Sequence, residues 1–275
     1  MNTTTNSSQT SNKWLKHASQ KLSSVGIESA DLDALILLEY CLGMDRAKIL
    51  AEPDLQLSPR QTKVLNELLS RRVKFEPIAY ITKKSEFYGR SFFVSRDVLI
   101  PRPESEAFID LLGSINLGNL TSSIDVGCGS GCLGISAKLS FPKLSVELTD
   151  NSKVALKVAR LNAQILSANV EIYYSDLMKN KPGPRDIVLA NLPYVPDAYP
   201  LSPTLEYEPS NALRGGKDGL ELYRKLWAQI GQQKSKYVMC ESLDQQHPDL
   251  CSLAKSYGYK LVEQLSLVQL FVCEN

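Results

Sequence analysis

The stretch Ile124-Asp125-Val126-Gly127-Cys128-Gly129-Ser130-Gly131-Cys132-Leu133-Gly134-Ile135 decides the fold. A β-rich run enters a glycine-rich turn, and helical spacing resumes beyond it. Glycines take backbone conformations that a Cβ forbids and let a ligand approach the main chain closely. The spacing Gly127, Gly129, Gly131 is GxGxG, not the GxGxxG of dinucleotide binders. No Walker-type lysine follows, so phosphate cradling is disfavoured. Outward from this turn, short β-rich runs at 122–126, 144–148, 170–174, 186–190 and 237–240 alternate with helical patterns at 132–139, 153–163 and 219–230. That alternation predicts an α/β domain with a mostly parallel sheet. The closing stretch 260–273 is long enough for two strands and predicts an antiparallel edge.

Upstream, residues 14–69 carry a helical pattern, with Trp14, Leu15, Ala18 and Leu22 recurring at three- and four-residue steps. Gly26 and Gly43 stand where helices end, and Ser58-Pro59 reads as a helix start. A small N-terminal helical domain follows, either a folding accessory or a docking module for a macromolecular substrate. Residues 78–93, with aromatic and β-branched residues around Gly89, read as a connecting β-hairpin. The domains are expected at 1–75, 76–103 and 104–275. Between Arg71 and Arg102 lie eight basic and three acidic residues, a solvated face or an attraction for an anionic partner.

The 275 residues balance 31 Lys+Arg against 30 Asp+Glu, which argues against binding through a uniform basic field. No apolar run approaches the roughly 18 residues that span a bilayer, and the polar start Met1 to Lys13 reads as a frayed terminus without a signal-peptide core. A cytoplasmic chain is expected, acting as a monomer without a membrane. Six cysteines are scattered with no CxxC pair, and the histidines are His17 and His247, so neither a metal site nor a His-based triad is expected.

At the end of the second strand, Asp150 is placed to accept hydrogen bonds from ribose hydroxyls, and this acid turns a weak glycine-loop signal into a ligand site. The fourth strand delivers Asn191-Leu192-Pro193-Tyr194 beside the glycine loop. By itself the tetrapeptide is a proline turn, but ligands in open α/β sheets bind beyond the carboxyl ends of the strands. An Asn amide oxygen and a backbone carbonyl both accept from an NH2 group. Pro193 biases Leu192 toward extended backbone, and Tyr194 offers a flat wall.

The glycine loop, Asp150 and the tetrapeptide resemble a class I S-adenosylmethionine-dependent methyltransferase, which implies a Rossmann-like sheet. Glu76-Pro77-Ile78-Ala79-Tyr80-Ile81, Glu86-Phe87-Tyr88-Gly89, Val98-Leu99-Ile100-Pro101-Arg102-Pro103-Glu104-Ser105-Glu106 and Glu208-Pro209 through Gly215-Gly216-Lys217-Asp218-Gly219-Leu220 narrow it. Together they resemble the HemK/PrmC family, protein-(glutamine N5) methyltransferases acting on peptide chain release factors, over nearly the whole chain. The resemblance implies S-adenosyl-L-methionine as methyl donor, held by Asp125, Gly127, Cys128, Gly129, Ser130, Gly131, Asp150, Asp176, Leu177 and Asn191. Asp176 and Leu177 would lie at the adenine side. Asn191, Leu192, Pro193 and Tyr194 would carry catalysis and, with Arg102, substrate binding. Cys128 reads as a small space-filler. A release factor is the implied partner, with no stable nucleic-acid binding.

The family's usual tetrapeptide is Asn-Pro-Pro-Tyr, and Leu192 departs from it. Asn-Leu-Pro-Tyr is also similar to ribosomal RNA adenine dimethyltransferases, so N6-adenine methylation of RNA or DNA stays open, as does glutamine methylation of a ribosomal protein. The family's Asp-Arg near the C terminus is absent from 265–273, read as drift in an edge strand.

Overall fold

The computed structural model describes residues 9–116, 118, 120–180 and 183–274. Two compact units make up the chain: Met1–Lys83 with Pro203–Tyr207, and Lys84–Ser202 with Glu208–Asn275.

In the first unit a short pair of strands, β1 (Gln9–Thr10) and β2 (Gln56–Leu57), accompanies α1 (Ser11–Ser24), α2 (Ala30–Leu42), α3 (Arg46–Ala51), α4 (Pro59–Arg72) and α5 (Ile78–Thr82). Their apolar stripes meet around Trp14, Leu22, Leu37, Leu38, Ile49, Leu65 and Leu69. Gly43 ends α2 at φ 62°, and Ser58 opens α4 with a capping box. There the Ser58 hydroxyl accepts from Gln61 N at 3.2 Å while Gln61 Oε1 accepts from Ser58 N at 2.9 Å. Two such bonds satisfy donors that a helix start leaves open. One ion pair is buried here: Arg72 Nε donates to Asp33 Oδ2 at 2.6 Å.

The second unit starts with a hairpin, β3 (Lys84–Phe87) and β4 (Arg90–Phe93), whose turn residues Tyr88 and Gly89 have φ of 48° and 68°. Positive φ at both central positions matches the twist of a two-residue hairpin. After α6 (Ala107–Ser114) come β5 (Ser122–Val126), α7 (Cys132–Ser140), β6 (Ser145–Asp150), α8 (Lys153–Ile165), β7 (Glu171–Tyr174) and β8 (Ile187–Ala190). The chain closes with α9 (Ser210–Leu213), α10 (Glu221–Gln233), β9 (Tyr237–Glu241), α11 (His247–Ser256), β10 (Tyr259–Leu265) and β11 (Val268–Cys273). Seven strands form one sheet in the order β10-β11-β9-β8-β5-β6-β7. Contacts among β9, β8, β5, β6 and β7 are parallel, and β11 and β10 add antiparallel. Side chains alternate between the faces: Ile187, Leu189 and Met239 join one apolar cluster, Val188, Ala190, Val238 and Cys240 the other. Such burial on both faces is what a parallel sheet requires. The chain runs from β5 outward to β7 and then returns to β8 on the other side of β5. That reversal creates a crevice at the strands' carboxyl ends.

Four expectations change. Residues 78–82 are helical and only 84–93 form the hairpin, because Pro77 starts a short helix that buries Ala79, Tyr80 and Ile81. The polar start is ordered from Gln9, with α1 beginning at Ser11 under a Thr10 cap; the part of the frayed-terminus reading on residues 1–8 lies outside the described residues. Strand β9 extends one residue further than 237–240, to Glu241. Lastly, β11 is an interior strand between β10 and β9, so 265–273 is not drift at an edge; β10 holds that position.

Candidate active site

The glycine loop connects β5 to α7 and takes positive φ at Gly127 (73°), Gly129 (54°) and Gly131 (80°). A Cβ on Gly127 would come within 2.9 Å of Leu192 Cδ2, whereas at Gly129 it would meet nothing within 4 Å. So Gly127 makes room for the tetrapeptide, and Gly129 faces open space. Gly131 caps α7 and is packed by Ile135, Leu148 and Ala159. Asp150, at the end of β6, accepts from Gly129 N at 2.9 Å and from Ser152 N at 2.7 Å, tying the loop to the start of α8. Burial raises its pKa, and those backbone N–H groups oppose the rise.

Asp125, on β5, is 2% exposed and accepts from Gly134 N at 2.8 Å. Burial pushes its carboxyl up to about 7, with the Gly134 N–H pulling down and the Asp150 charge adding to the rise. Desolvation raises the pKa of the buried Cys128 thiol and pushes that of the half-buried Cys132 up to about 12, so neither is a ready nucleophile.

Beyond β8, the tetrapeptide's backbone is braced at Leu192 N and Tyr194 O, and just after it at Val195. Leu192 N donates to the Tyr223 hydroxyl at 3.3 Å, and that hydroxyl also faces the carbonyls of Ala190 and Glu241. Val195 N donates to Leu213 O, and Gly215 N to Val195 O, both at 2.9 Å. Gln246 Nε2 donates at 2.8 Å to both Tyr194 O and Asp218 O. The glycines of the 215–219 loop lie against this backbone: a Cβ on Gly215 would stand 2.4 Å from Pro193 O, and one on Gly219 2.0 Å from Tyr194 O. This loop needs glycine because it abuts main chain.

Asn191 Nδ2 donates to Ser105 Oγ at 2.8 Å, which leaves Oδ1 to accept from another group. Arg102 Nη2 meets Glu208 Oε1 at 2.5 Å, and Glu208 Oε2 accepts from Ile100 N at 3.0 Å, so this pair fastens the 98–105 segment. Arg71, Arg72 and Lys84 also sit in ion pairs, so much of the basic excess is internally balanced.

One cleft gathers Arg102, Ser105, Asp125, Gly127, Cys128, Gly129, Ser130, Asp150, Asp176, Leu177, Asn191, Leu192 and Pro193. Leu177 carries a φ of 54°, a left-handed conformation unusual for leucine and of the kind found at ligand sites. Gly131 and Tyr194 do not line the cleft; the Tyr194 hydroxyl donates to Glu241 Oε1 at 2.9 Å. Sequence reading passed over Ser105, Tyr223, Glu241 and Asn162. Asn162, fully buried on α8, holds the hairpin at Phe93 N and O and the glycine loop at Ser130 O, with bonds of 2.7–2.9 Å. Nothing in helical periodicity marks it. Glu241 had a signal, an acid at the carboxyl end of a strand, lost by ending the strand at Cys240.

Among the described residues no helix is long and apolar enough to cross a membrane. Residues 13–82 match the family model of the PrmC N-terminal domain, and residues 105–200 that of the methyltransferase small domain. The chain is 38% identical over 209 residues to a release factor glutamine methyltransferase of Coxiella burnetii, covering 74% of this chain and 75% of that protein. A release factor glutamine methyltransferase of Koribacter versatilis is 36% identical over 222 residues, 78% of either chain. Among solved structures, a methyltransferase from Pyrococcus furiosus superposes with a TM-score of 0.51 at 16% identity, over 78% of this chain and 97% of that one. At that identity the likeness speaks to the fold alone, a class I methyltransferase sheet.

Proposed function

The chain belongs to the release factor glutamine methyltransferase family, and from that premise we propose that it methylates the side-chain amide nitrogen of a glutamine in a peptide chain release factor, using S-adenosyl-L-methionine. The observation that carries the substrate reading is the arrangement at Asn191. Its Nδ2 is committed to Ser105, so Oδ1 is the atom left for a substrate, and the Leu192 carbonyl follows one residue on. Two acceptors side by side suit the two hydrogens of a primary amide.

The cleft fits the proposed cofactor by the chemistry of its lining. Gly129 leaves open space where a Cβ would stand, Asp150 presents a carboxylate beside it, and Asp125 is a buried carboxylate whose cost a cation in the cleft would relieve. Asp150 would take ribose hydroxyls, Asp125 the amino group, and Asp176 with Leu177 the adenine side. When bound, the cofactor supplies a methyl group on a sulfonium centre.

The residues' contribution is orientation. An amide nitrogen is a poor nucleophile because its lone pair is delocalised. Asn191 Oδ1 and the Leu192 carbonyl hold the amide hydrogens, turn the nitrogen toward the methyl group and favour the positive charge that develops on it. Pro193 and Tyr194 contribute through the shape of the turn. The proton leaves after the N–C bond forms, when it has become acidic, so no strong base is needed. The N-terminal helical unit is proposed as the docking module for the release factor.

Asn191→Ala tests this reading: turnover of a release factor is expected to fall about 100-fold, since the lost bond matters most in the transition state. Unchanged turnover would remove Asn191 from the mechanism.

A further inference from the structure

Asn162 has no part in the reading above, and its setting asks for a reason. It is fully buried on α8 among Ala155, Leu156, Val158 and Ala159, where an apolar side chain would serve packing. A carboxamide taken out of water is costly unless its polar groups are paired. Here the oxygen and both amide hydrogens are used. Oδ1 accepts from Phe93 N at 2.7 Å, and Nδ2 donates to Phe93 O and to Ser130 O, both at 2.9 Å.

Those partners lead to two different parts of the cleft lining. Ser130 belongs to the glycine loop, which lines the cleft from Gly127 to Ser130. Phe93 ends β4, and the chain beyond it turns at once: Val98 N donates to Ser95 O at 3.2 Å, and Ser95 Oγ to Asp97 Oδ2 at 2.8 Å. After that turn Asp97, Val98, Leu99, Pro101 and Arg102 line the same cleft. This second stretch is held further on by Glu208, which accepts from Ile100 N. Strands β4 and β5, which lead into the two linings, belong to different sheets, so no ladder fixes their separation. The Asn162 carboxamide bridges them instead.

We propose that Asn162 is a positioning residue for the cofactor. By tying the glycine loop to the foot of the 97–102 stretch, it fixes the spacing of two linings against which S-adenosylmethionine binds. A site already held at that spacing spares the ligand the cost of ordering it. This rests on the reading that the cleft holds that cofactor.

The test is calorimetric titration of the full chain with S-adenosylmethionine, each protein being studied well below its own melting temperature. Asn162→Ala should weaken binding about 10-fold, as when a group that orients binding residues is removed. Ile230→Ala, which empties space in the apolar cluster that α8 does not join, is the control for lost stability. It should lower the melting temperature and keep cofactor affinity within twofold. Asn162→Leu, with a similar branched outline and no hydrogen bond to make, should also weaken binding, and it reads the tie if Asn162→Ala does not fold. Wild-type affinity in the folded Asn162 variant overturns the proposal. So does a loss of affinity in Ile230→Ala equal to that in Asn162→Ala. If the wild-type chain binds no S-adenosylmethionine, the cofactor reading itself fails, and the proposal with it.

Discussion

Replacing Asp125 by asparagine should set two properties of the protein against each other. The carboxyl is 2% exposed, accepts one backbone N–H at 2.8 Å, and is pushed by burial from its ordinary 3.8 up to about 7. Because the folded pKa is the higher one, the unliganded fold binds a proton at pH values where the unfolded chain has released it. The stabilisation linked to that proton is full below about pH 4 and lost as pH rises through 7. A displacement of about three units, at about 1.36 kcal/mol each, gives of order 4 kcal/mol lost by pH 8. Asparagine does not ionise and can still accept from Gly134 N. Unliganded Asp125→Asn should therefore melt several degrees above wild type at pH 8, and the gap should close toward pH 4–5. Cofactor binding should move the other way. At pH 8 the variant lacks the charge proposed to meet the cofactor's amino group and should bind about 10-fold or more weakly, since charge-assisted bonds contribute roughly 1.5–3 kcal/mol. In wild type, affinity should itself weaken as pH falls below 7 and Asp125 takes up its proton. Melting curves from pH 4 to 8, with calorimetric titration of S-adenosylmethionine, read both effects. Parallel melting profiles for the two proteins would refute the burial argument.

Tyr223→Phe removes the acceptor of the buried Leu192 N–H and should cost roughly 1–3 kcal/mol in denaturant unfolding. Proline has no N–H, so Leu192→Pro should shrink that cost; equal costs in both backgrounds would show that Leu192 and Tyr223 are not coupled. Gly219→Ala, with a Cβ 2.0 Å from Tyr194 O, should lower both stability and turnover, whereas Gly129→Ala, whose Cβ meets no protein atom within 4 Å and carries only the strain of its φ of 54°, should spare more of the stability and weaken cofactor binding. Matched losses of stability in the two variants would contradict the distinction. A chain beginning at Lys84, which keeps the hairpin and its buried Phe87 and Phe92, should bind cofactor but fail to methylate an intact release factor. Full turnover by it would remove the docking role.

The sheet and the crevice were legible because their signals are local. The β-rich runs, the glycine turn and the acid at the end of β6 each lie within a few residues. The hairpin was overextended because Tyr80 and Ile81 suit a strand as well as a buried helical turn, and only Pro77 and the left-handed Lys83 set the limits of α5. The supports of the tetrapeptide were illegible for a different reason. Ser105 is 86 residues from Asn191, Tyr223 is 31 from Leu192, and Asn162 is 69 from Phe93. Contacts at such separations follow from topology, which single-chain periodicity does not encode. Leu192 illustrates the gain: alone it is a departure from a motif, but in the structure its N–H and side chain have matched partners in Tyr223 and Gly127.

The most direct test of the central claim is methyl transfer in a mixed reaction. Purified protein would be given tritiated S-adenosylmethionine with a peptide chain release factor, a ribosomal protein and RNA together. The labelled product would then be digested and its modified residue identified by mass spectrometry. The account predicts label on the release factor, at the side-chain amide nitrogen of a glutamine, and loss of that label with Asn191→Ala. Label on adenine in the RNA, or on the ribosomal protein with the release factor left unmodified, would contradict it.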